Sequence, residues 1–232
     1  MKLSFLIPTH NRPKLFRRCI ESVLEQLTDD IEIIVNNDSH DIDEVEHHSI
    51  SYYYEKFDNL SDIYKFLLSK ATGEYVYFLE DDDYLAPMFI DNLKLDADLI
   101  VGNYLPLYKV QNPIFYATLN ADARYIDNAE GFVQSLNFEH LQLSQHVFRR
   151  STIENFKFPD DNNVYNDINL VLHAATQSNS IRTTRQVFYC QTTDGGDNLS
   201  FAGSNTEVPV TQSMDFLKDY EIFKTTSPTT RS

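Results

Sequence analysis

The chain has 232 residues, 42% of them apolar and 23% charged, and a formal net charge of -16. Sixteen Phe and fourteen Tyr exclude a disordered acidic chain, and no stretch approaches the ~18 consecutive apolar residues of a membrane-spanning helix. At roughly 150 residues per domain the length fits one domain of generous size, and the acidic balance weighs against a broad phosphate-tracking surface, which would take its affinity from Lys and Arg.

Met1-Lys2-Leu3-Ser4-Phe5 runs straight into a predicted strand with no signal-peptide layout, so a folded cytoplasmic protein is expected, without stable membrane insertion. Cys19 falls on the apolar face of a predicted helix, where a reduced thiol acts as a small hydrophobe; Cys190 lies far along the chain, and a disulfide is not expected. No C-x-x-C or Cys/His spacing for structural zinc occurs. Arg12, Lys14, Arg17 and Arg18 form the densest basic patch, with Arg149-Arg150 and Arg182/Arg185 as smaller pairs; Arg17 is spaced for an i,i+4 ion pair with Glu21.

Lys2 to Ile7 is a nearly continuous apolar run ending at Pro8, the mark of a strand buried on both faces. Pro13 opens a helix whose apolar stripe runs from Leu15 to Leu27, and Ile31 to Val35 is a second buried strand, which together predict a right-handed parallel crossover. Ile50 to Tyr54 is the next strand. Leu60 to Ala71 stripes a helix that Gly73 ends, Tyr75 to Leu79 is a strand, and a short helix after Pro87 leads to the strand Leu99-Ile100-Val101. Alternating elements of this kind define an α/β fold with a mostly parallel sheet. Further on, the predicted elements are a short β-like run at Ile114 to Ala117, helices at Ala129 to Leu136 and Asp167 to Thr176, a strand at Gln186 to Cys190, and a helix at Met214 to Phe223 before a polar tail.

The most informative run is Leu79-Glu80-Asp81-Asp82-Asp83-Tyr84, four carboxylates directly after a buried strand, at the sheet edge where ligands bind in open α/β folds. Like charges held so close are costly unless a cation joins them. An extended segment sends Glu80 and Asp82 to one side and Asp81 to the other, so a hard divalent ion on carboxylate oxygens, Mn2+ or Mg2+, is the expected partner. The phosphate-cradling motifs G-x-x-x-x-G-K-[ST] and G-x-G-x-x-G are absent, which leaves a metal bridging carboxylate and diphosphate as the means of neutralising a nucleoside diphosphate. The pattern points to transfer from a nucleotide-activated donor.

Phe5-Leu6-Ile7-Pro8-Thr9-His10-Asn11-Arg12 resembles the opening strand and loop of family 2 glycosyltransferases of the GT-A fold. Ile34-Val35-Asn36-Asn37-Asp38-Ser39-His40-Asp41 is similar to their second-strand motif, Tyr75 to Leu85 to their D-x-D segment, and Val147-Phe148-Arg149-Arg150 to a recurring later run. The resemblance implies a GT-A-type nucleotide-binding α/β/α sandwich with a mostly parallel central sheet and an elaborated C-terminal half. It implies a single domain over 1–224, with a nucleotide-binding half at 1–105 and an acceptor half at 106–224, before a tail at 225–232. By the same resemblance Pro8, Thr9 and Arg12 line the base and its near side. Asn37 stands where the family commonly has an Asp that accepts from the uracil imide; its side-chain oxygen can take that bond, so a UDP-sugar is the favoured donor. Glu80, in place of the first Asp, faces the ribose with Asp81 beside it, and Asp82 holds the metal with Asp83 as neighbour. The late segment has no His to complete the metal site, and Asp194 or Asp197 is the substitute, although Asp194-Gly195-Gly196 equally reads as a turn. Asp167, opening a helix, is the implied base that activates the acceptor, with Asp160-Asp161 as the fallback.

The expected activity is therefore metal-dependent, inverting transfer of a sugar from a nucleotide-sugar donor to an acceptor hydroxyl, on a glycan or glycoconjugate. Three alternatives stay open: the same chemistry on a hydroxymethylated base of DNA, a non-catalytic nucleotide-sugar or glycan-binding module, and a sugar nucleotidyltransferase.

Overall fold

The computed structural model describes residues 2–39, 44–107, 124–126, 142–158 and 166–192. Within them nine strands form one sheet: β1 (Leu3–Thr9), β2 (Ile31–Asn37), β3 (Ile50–Tyr53), β4 (Tyr75–Phe78), β5 (Tyr84–Leu85), β6 (Leu99–Leu107), β7 (Arg124–Ile126), β8 (His146–Arg149) and β9 (Ile181–Thr192). The order is β3-β2-β1-β4-β8-β6-β9-β5, with β7 also paired to β9. The helices are α1 (Pro13–Leu24), α2 (Leu60–Lys70), α3 (Phe89–Asn92) and α4 (Asn166–Gln177). β1 pairs in parallel with β2 and β4, β2 with β3, and β6 with β9. β8 runs antiparallel to both β4 and β6, and β5 and β7 antiparallel to β9. Most strands thus share one direction, as the alternating elements predict.

Every residue of β1 is buried, and successive side chains enter opposite cores. Leu3, Phe5 and Ile7 pack with Phe16, Cys19, Ile20 and Val23 of α1 and Phe89 of α3, whereas Leu6 packs with Tyr64 and Leu67 of α2 and Leu170 and Val171 of α4. Two apolar cores on either side of one sheet make an α/β/α sandwich, and they explain why β1 reads as a continuous apolar run. Edge-to-face rings fill the α3 side, with Phe5 5.4 Å from Tyr77 and Phe89 4.9 Å from Phe188. Cys19 and Cys190 are both free and buried, as expected.

Some boundaries move from their predicted places. β1 continues through Pro8 to Thr9. Leu6 O accepts from Leu79 N at 3.1 Å, and Pro8, two residues on, faces the same neighbour beyond the end of the β1–β4 ladder, where a missing N–H costs nothing. α1 ends at Leu24, short of its stripe, because Gln26 N and Leu27 N bond to Val23 O (3.1 Å) and Leu24 O (3.2 Å) in a tightened last turn. α2 starts at Leu60 as predicted, capped by Asn59, whose side chain accepts from Asp62 N at 2.8 Å. β6 runs past Val101 to Leu107, with register shifts around Asn103, and β8 had no predicted counterpart. The expected β-like run at 114–117, the helices at 129–136 and 214–223 and the tail lie outside the described residues.

At the N-terminal edge of the sheet, Glu32 ties β1 to the α2–β4 turn. It accepts from Lys2 Nζ (2.7 Å), Ser4 Oγ (2.5 Å), Thr72 N (2.7 Å) and Gly73 N (3.0 Å). Gly73 is required there, since a Cβ would lie 2.5 Å from Ser4 Oγ and 2.9 Å from Lys2 O. Burial pushes the Glu32 carboxyl up, but Lys2, Ser4 and Thr72 outweigh it and hold the group at about 2 rather than 4.5. A depressed carboxylate adds stability above its unfolded value, and that stability is lost as pH falls toward the folded one. Glu32→Gln is therefore expected to cost about 1–2 kcal/mol at pH 7, after allowance for solvent screening. The gap to the parent should shrink as pH falls from 4.5 toward 2, which urea titrations at pH 7 and pH 3 will read.

Candidate active site at the C-terminal edge of the sheet

β1, β2 and β4 end side by side and deliver Thr9, Asn37 and the Glu80–Asp83 segment to one edge. The segment is a turn rather than an extended strand: Asp83 N bonds to Glu80 O at 3.2 Å, the i→i+3 closure that Asp-rich sequences favour. The turn corrects the expected facing. Glu80 is directed to the α2 side, where Tyr64 OH donates to its Oε1. Asp81 and Asp82 converge on a single cation, with Arg12 Nη1 3.1 Å from Asp81 Oδ1 and 3.2 Å from Asp82 Oδ2. Thr9 Oγ1 donates to the other Asp81 oxygen at 2.7 Å. Asp83 turns toward β9, accepting from Thr192 N at 2.9 Å.

Arg12 is at the N-cap of α1, where a cation opposes the helix dipole and no acidic residue occupies the first turn. That local cost is offset by the two carboxylates it bridges. Arg18, nearly two turns further along α1, donates from Nη2 to Asp82 O (2.5 Å) and Thr192 Oγ1 (2.8 Å), and Thr192 Oγ1 donates to Asp82 O (2.5 Å). Arg17, by contrast, makes the expected pair with Glu21 at 2.7 Å; both are about half exposed, so the pair is worth only ~0.3–0.5 kcal/mol. Tyr64 and Thr192 were not singled out from the sequence, and Arg18 was named only as one of a basic patch. Nothing distinguishes Arg18 from Arg17 in spacing, and Tyr64 reads as part of an apolar stripe.

Burial dominates the electrostatics. It pushes the Asp81 carboxyl up to about 6 in spite of Thr9 and Arg12. Burial, and then the neighbouring Asp82, drives Asp83 well above the carboxylate range. Carboxylates buried this close together favour a further cation beside Arg12 and Arg18. Asp81 and Asp82 are hard oxygen donors already directed at one cationic group, which suits Mn2+ or Mg2+. Among the described residues no three His, Cys, Asp or Glu side chains come together as a ligand set. Asp194, Asp197 and Asp160-Asp161 lie outside the described residues, and Asp167 is in the first turn of α4.

Asn37 is fully buried. Its Oδ1 accepts from both Ser39 N (3.1 Å) and Ser39 Oγ (2.7 Å), while Nδ2 has no hydrogen-bond partner among the described residues. Adjacent Asn36 is structural, exchanging bonds with Glu55 O (3.0 Å) and Glu55 N (3.1 Å). The β1 and β2 loops meet through the His10–Asp38 contact and Asn11 N to Ser39 Oγ (3.0 Å).

The sequence profile of glycosyl transferase family 2 matches residues 4–156, more than half of the chain, and the chain belongs to that family. The glycosyltransferase GlyA of Streptococcus pneumoniae is 27% identical over 138 residues, 53% of this chain and 20% of that protein. The GalNAc(5)-diNAcBac-PP-undecaprenol beta-1,3-glucosyltransferase of Campylobacter jejuni is 36% identical over 110 residues, 42% of this chain and 35% of that protein. This chain therefore spans well under half the length of either relative. Among solved structures, S. aureus TarS 1-349 in complex with UDP-GlcNAc is similar with a TM-score of 0.69 at 18% identity, over 86% of this chain and 61% of that one. The mannosyltransferase PcManGT from Pyrobaculum calidifontis, in complex with GDP-Man and Mn2+, gives 0.55 at 14% identity, over 82% and 56%. These two likenesses speak for the fold, a GT-A-type α/β sandwich.

Proposed function

We propose that the protein moves a sugar from a nucleoside-diphosphate donor to an acceptor hydroxyl with inversion, in a single domain over 1–224. The observation that carries this reading is the convergence of Asp81 and Asp82 on one cation, beside the ends of β1 and β2. A UDP-sugar is the donor that the family resemblance and the UDP-GlcNAc complex of TarS favour, although Asn37, in place of the family's Asp, does not itself set the base. Mn2+ or Mg2+ would supply Lewis-acid neutralisation of the diphosphate. Asp82 and Asp81 hold the metal in this reading, with Asp194 as a further ligand, while Asp83 braces the turn against β9. Pro8, Thr9, Arg12 and Asn37 line the nucleotide, and Glu80, oriented by Tyr64, meets the ribose. Asp167 takes the proton of the acceptor hydroxyl; its oxygen bonds to the anomeric carbon as the bond from that carbon to the diphosphate oxygen breaks on the opposite face. No covalent enzyme intermediate is needed.

The acceptor is a glycan or glycoconjugate. Three of the four arginines in the basic pairs that DNA binding would require are engaged internally. Arg149 is held by Glu74 and Asp98, Arg150 donates to Gly73 O at 3.0 Å, and Arg182 bonds Asp96 at 2.6 Å. Arg149 and Arg182 also align with Tyr75 and Ile100, at the sheet edge opposite the acidic turn. No helix among the described residues is long and apolar enough to cross a membrane. The test is transfer of label from a panel of nucleotide sugars, with Mn2+, with Mg2+ and in excess chelator, onto glycans and separately onto hydroxymethylcytosine DNA. Metal-dependent label on a glycan is expected. Binding without turnover for every donor and acceptor would favour a non-catalytic module, and label on DNA alone would overturn the acceptor assignment.

A further inference from the structure

We infer that Asn37 reads the donor's base by donating a hydrogen bond, so that the site does not select uracil over cytosine. This rests on the reading above, in which Asn37 lines the nucleotide. The orientation of the Asn37 amide is fixed by its neighbour. Ser39 N–H can only donate, so the atom 3.1 Å from it is Oδ1, and the Ser39 hydroxyl at 2.7 Å occupies the second lone pair of the same oxygen. An oxygen with both lone pairs engaged has nothing left for the imide N–H of uracil, contrary to the expectation from sequence. What the side chain has to offer is Nδ2, a donor that is shielded from water and has no partner among the described residues. A buried donor of this kind carries a desolvation cost that a ligand acceptor removes.

Ser39 Oγ donates to Asn37 and accepts from Asn11 N, so Asn37 sits beneath the junction of the β1 and β2 loops. Both contacts that close this junction, His10–Asp38 and Asn11–Ser39, are solvent-exposed, and exposed hydrogen bonds are cheap to part as a base enters. Both pyrimidines carry an acceptor that Nδ2 can meet: O4 or O2 of uracil, N3 or O2 of cytosine. Neither has its imide or amidine edge distinguished by an acceptor from the protein. An Asp at the same position would keep both bonds from Ser39 on one oxygen and present its second oxygen where Nδ2 now stands. That group accepts from the uracil imide and repels cytosine N3.

The experiment is a calorimetric titration of UDP and CDP, with Mn2+, into the wild-type chain and into Asn37→Asp. The expected wild-type dissociation constants lie within about threefold of each other, or favour CDP. The variant should bind UDP at least about tenfold more tightly than CDP, the ratio set by one buried donor or acceptor left unmet. A wild-type preference for UDP above about tenfold, or a ratio unchanged in the variant, overturns the inference while leaving the proposed function standing. Failure of the wild type to bind either nucleotide overturns both. Unchanged cooperative unfolding of the variant shows that a lost ratio is not lost structure.

Discussion

Asp82→Asn is expected to lower kcat/KM by roughly 10²- to 10³-fold while leaving cooperative unfolding intact, the loss typical of deleting one preorganised charge-stabilising group. The substitution keeps the size of the side chain and removes only its charge. Arg12 retains Asp81 at 3.1 Å, and the backbone of the turn remains pinned through Arg18 and Thr192. Stability should hold or rise slightly, since one of several crowded like charges is gone. Asp81→Asn is the informative companion. An extended segment would spare it, because its side chain would point away from Asp82; the turn instead brings both carboxylates to the same guanidinium. The two variants should therefore lose activity to a similar degree. Steady-state kinetics with thermal unfolding of each variant checks the ordering, and a fully active Asp81→Asn would show that Arg12, rather than the donor, is the main partner of that group.

Asp167→Asn is expected to lower kcat by about 10²- to 10⁴-fold with nucleotide affinity unchanged, the signature of losing a general base that acts on the acceptor alone. The residue is in the first turn of α4, a place where a helix dipole in general favours a carboxylate over its acid. Its contribution must then come chiefly from position. Transfer rates measured beside nucleotide titrations separate the two quantities. Near-normal transfer by Asp167→Asn, with loss in Asp160→Asn or Asp161→Asn, would move the base to that earlier pair.

The nucleotide half of the fold was legible because its strands are buried on both faces and its helices carry clean stripes. β1, β2 and β4 and helices α1 and α2 could be read within a few residues from periodicity, Pro13 and Gly73. β8 could not. Its apolar content is Val147-Phe148 between His146 and Arg149, too short a run to register, and its antiparallel place between β4 and β6 follows from tertiary pairing alone. The acidic run was recognisable as the site, but its facing was not, since four consecutive acids specify a turn as readily as a strand. Asn37 was identified as a departure from the family pattern, yet which of its two polar atoms is engaged depends on Ser39 and the turn that follows. Arg18 and Thr192, which fix the backbone of Asp82, come from opposite ends of the chain and leave no local signal.

The central claim is that the turn holds a nucleoside diphosphate through a divalent cation at Asp81 and Asp82. Its most direct test is the affinity of the wild-type chain for UDP, measured by calorimetry with Mn2+ and again in excess chelator. Binding at least about tenfold tighter with the metal is predicted, the equivalent of about 1.4 kcal/mol. Equal affinity in chelator would contradict the account and would leave Arg12 and Arg18 as the cations that the described residues bring to the turn.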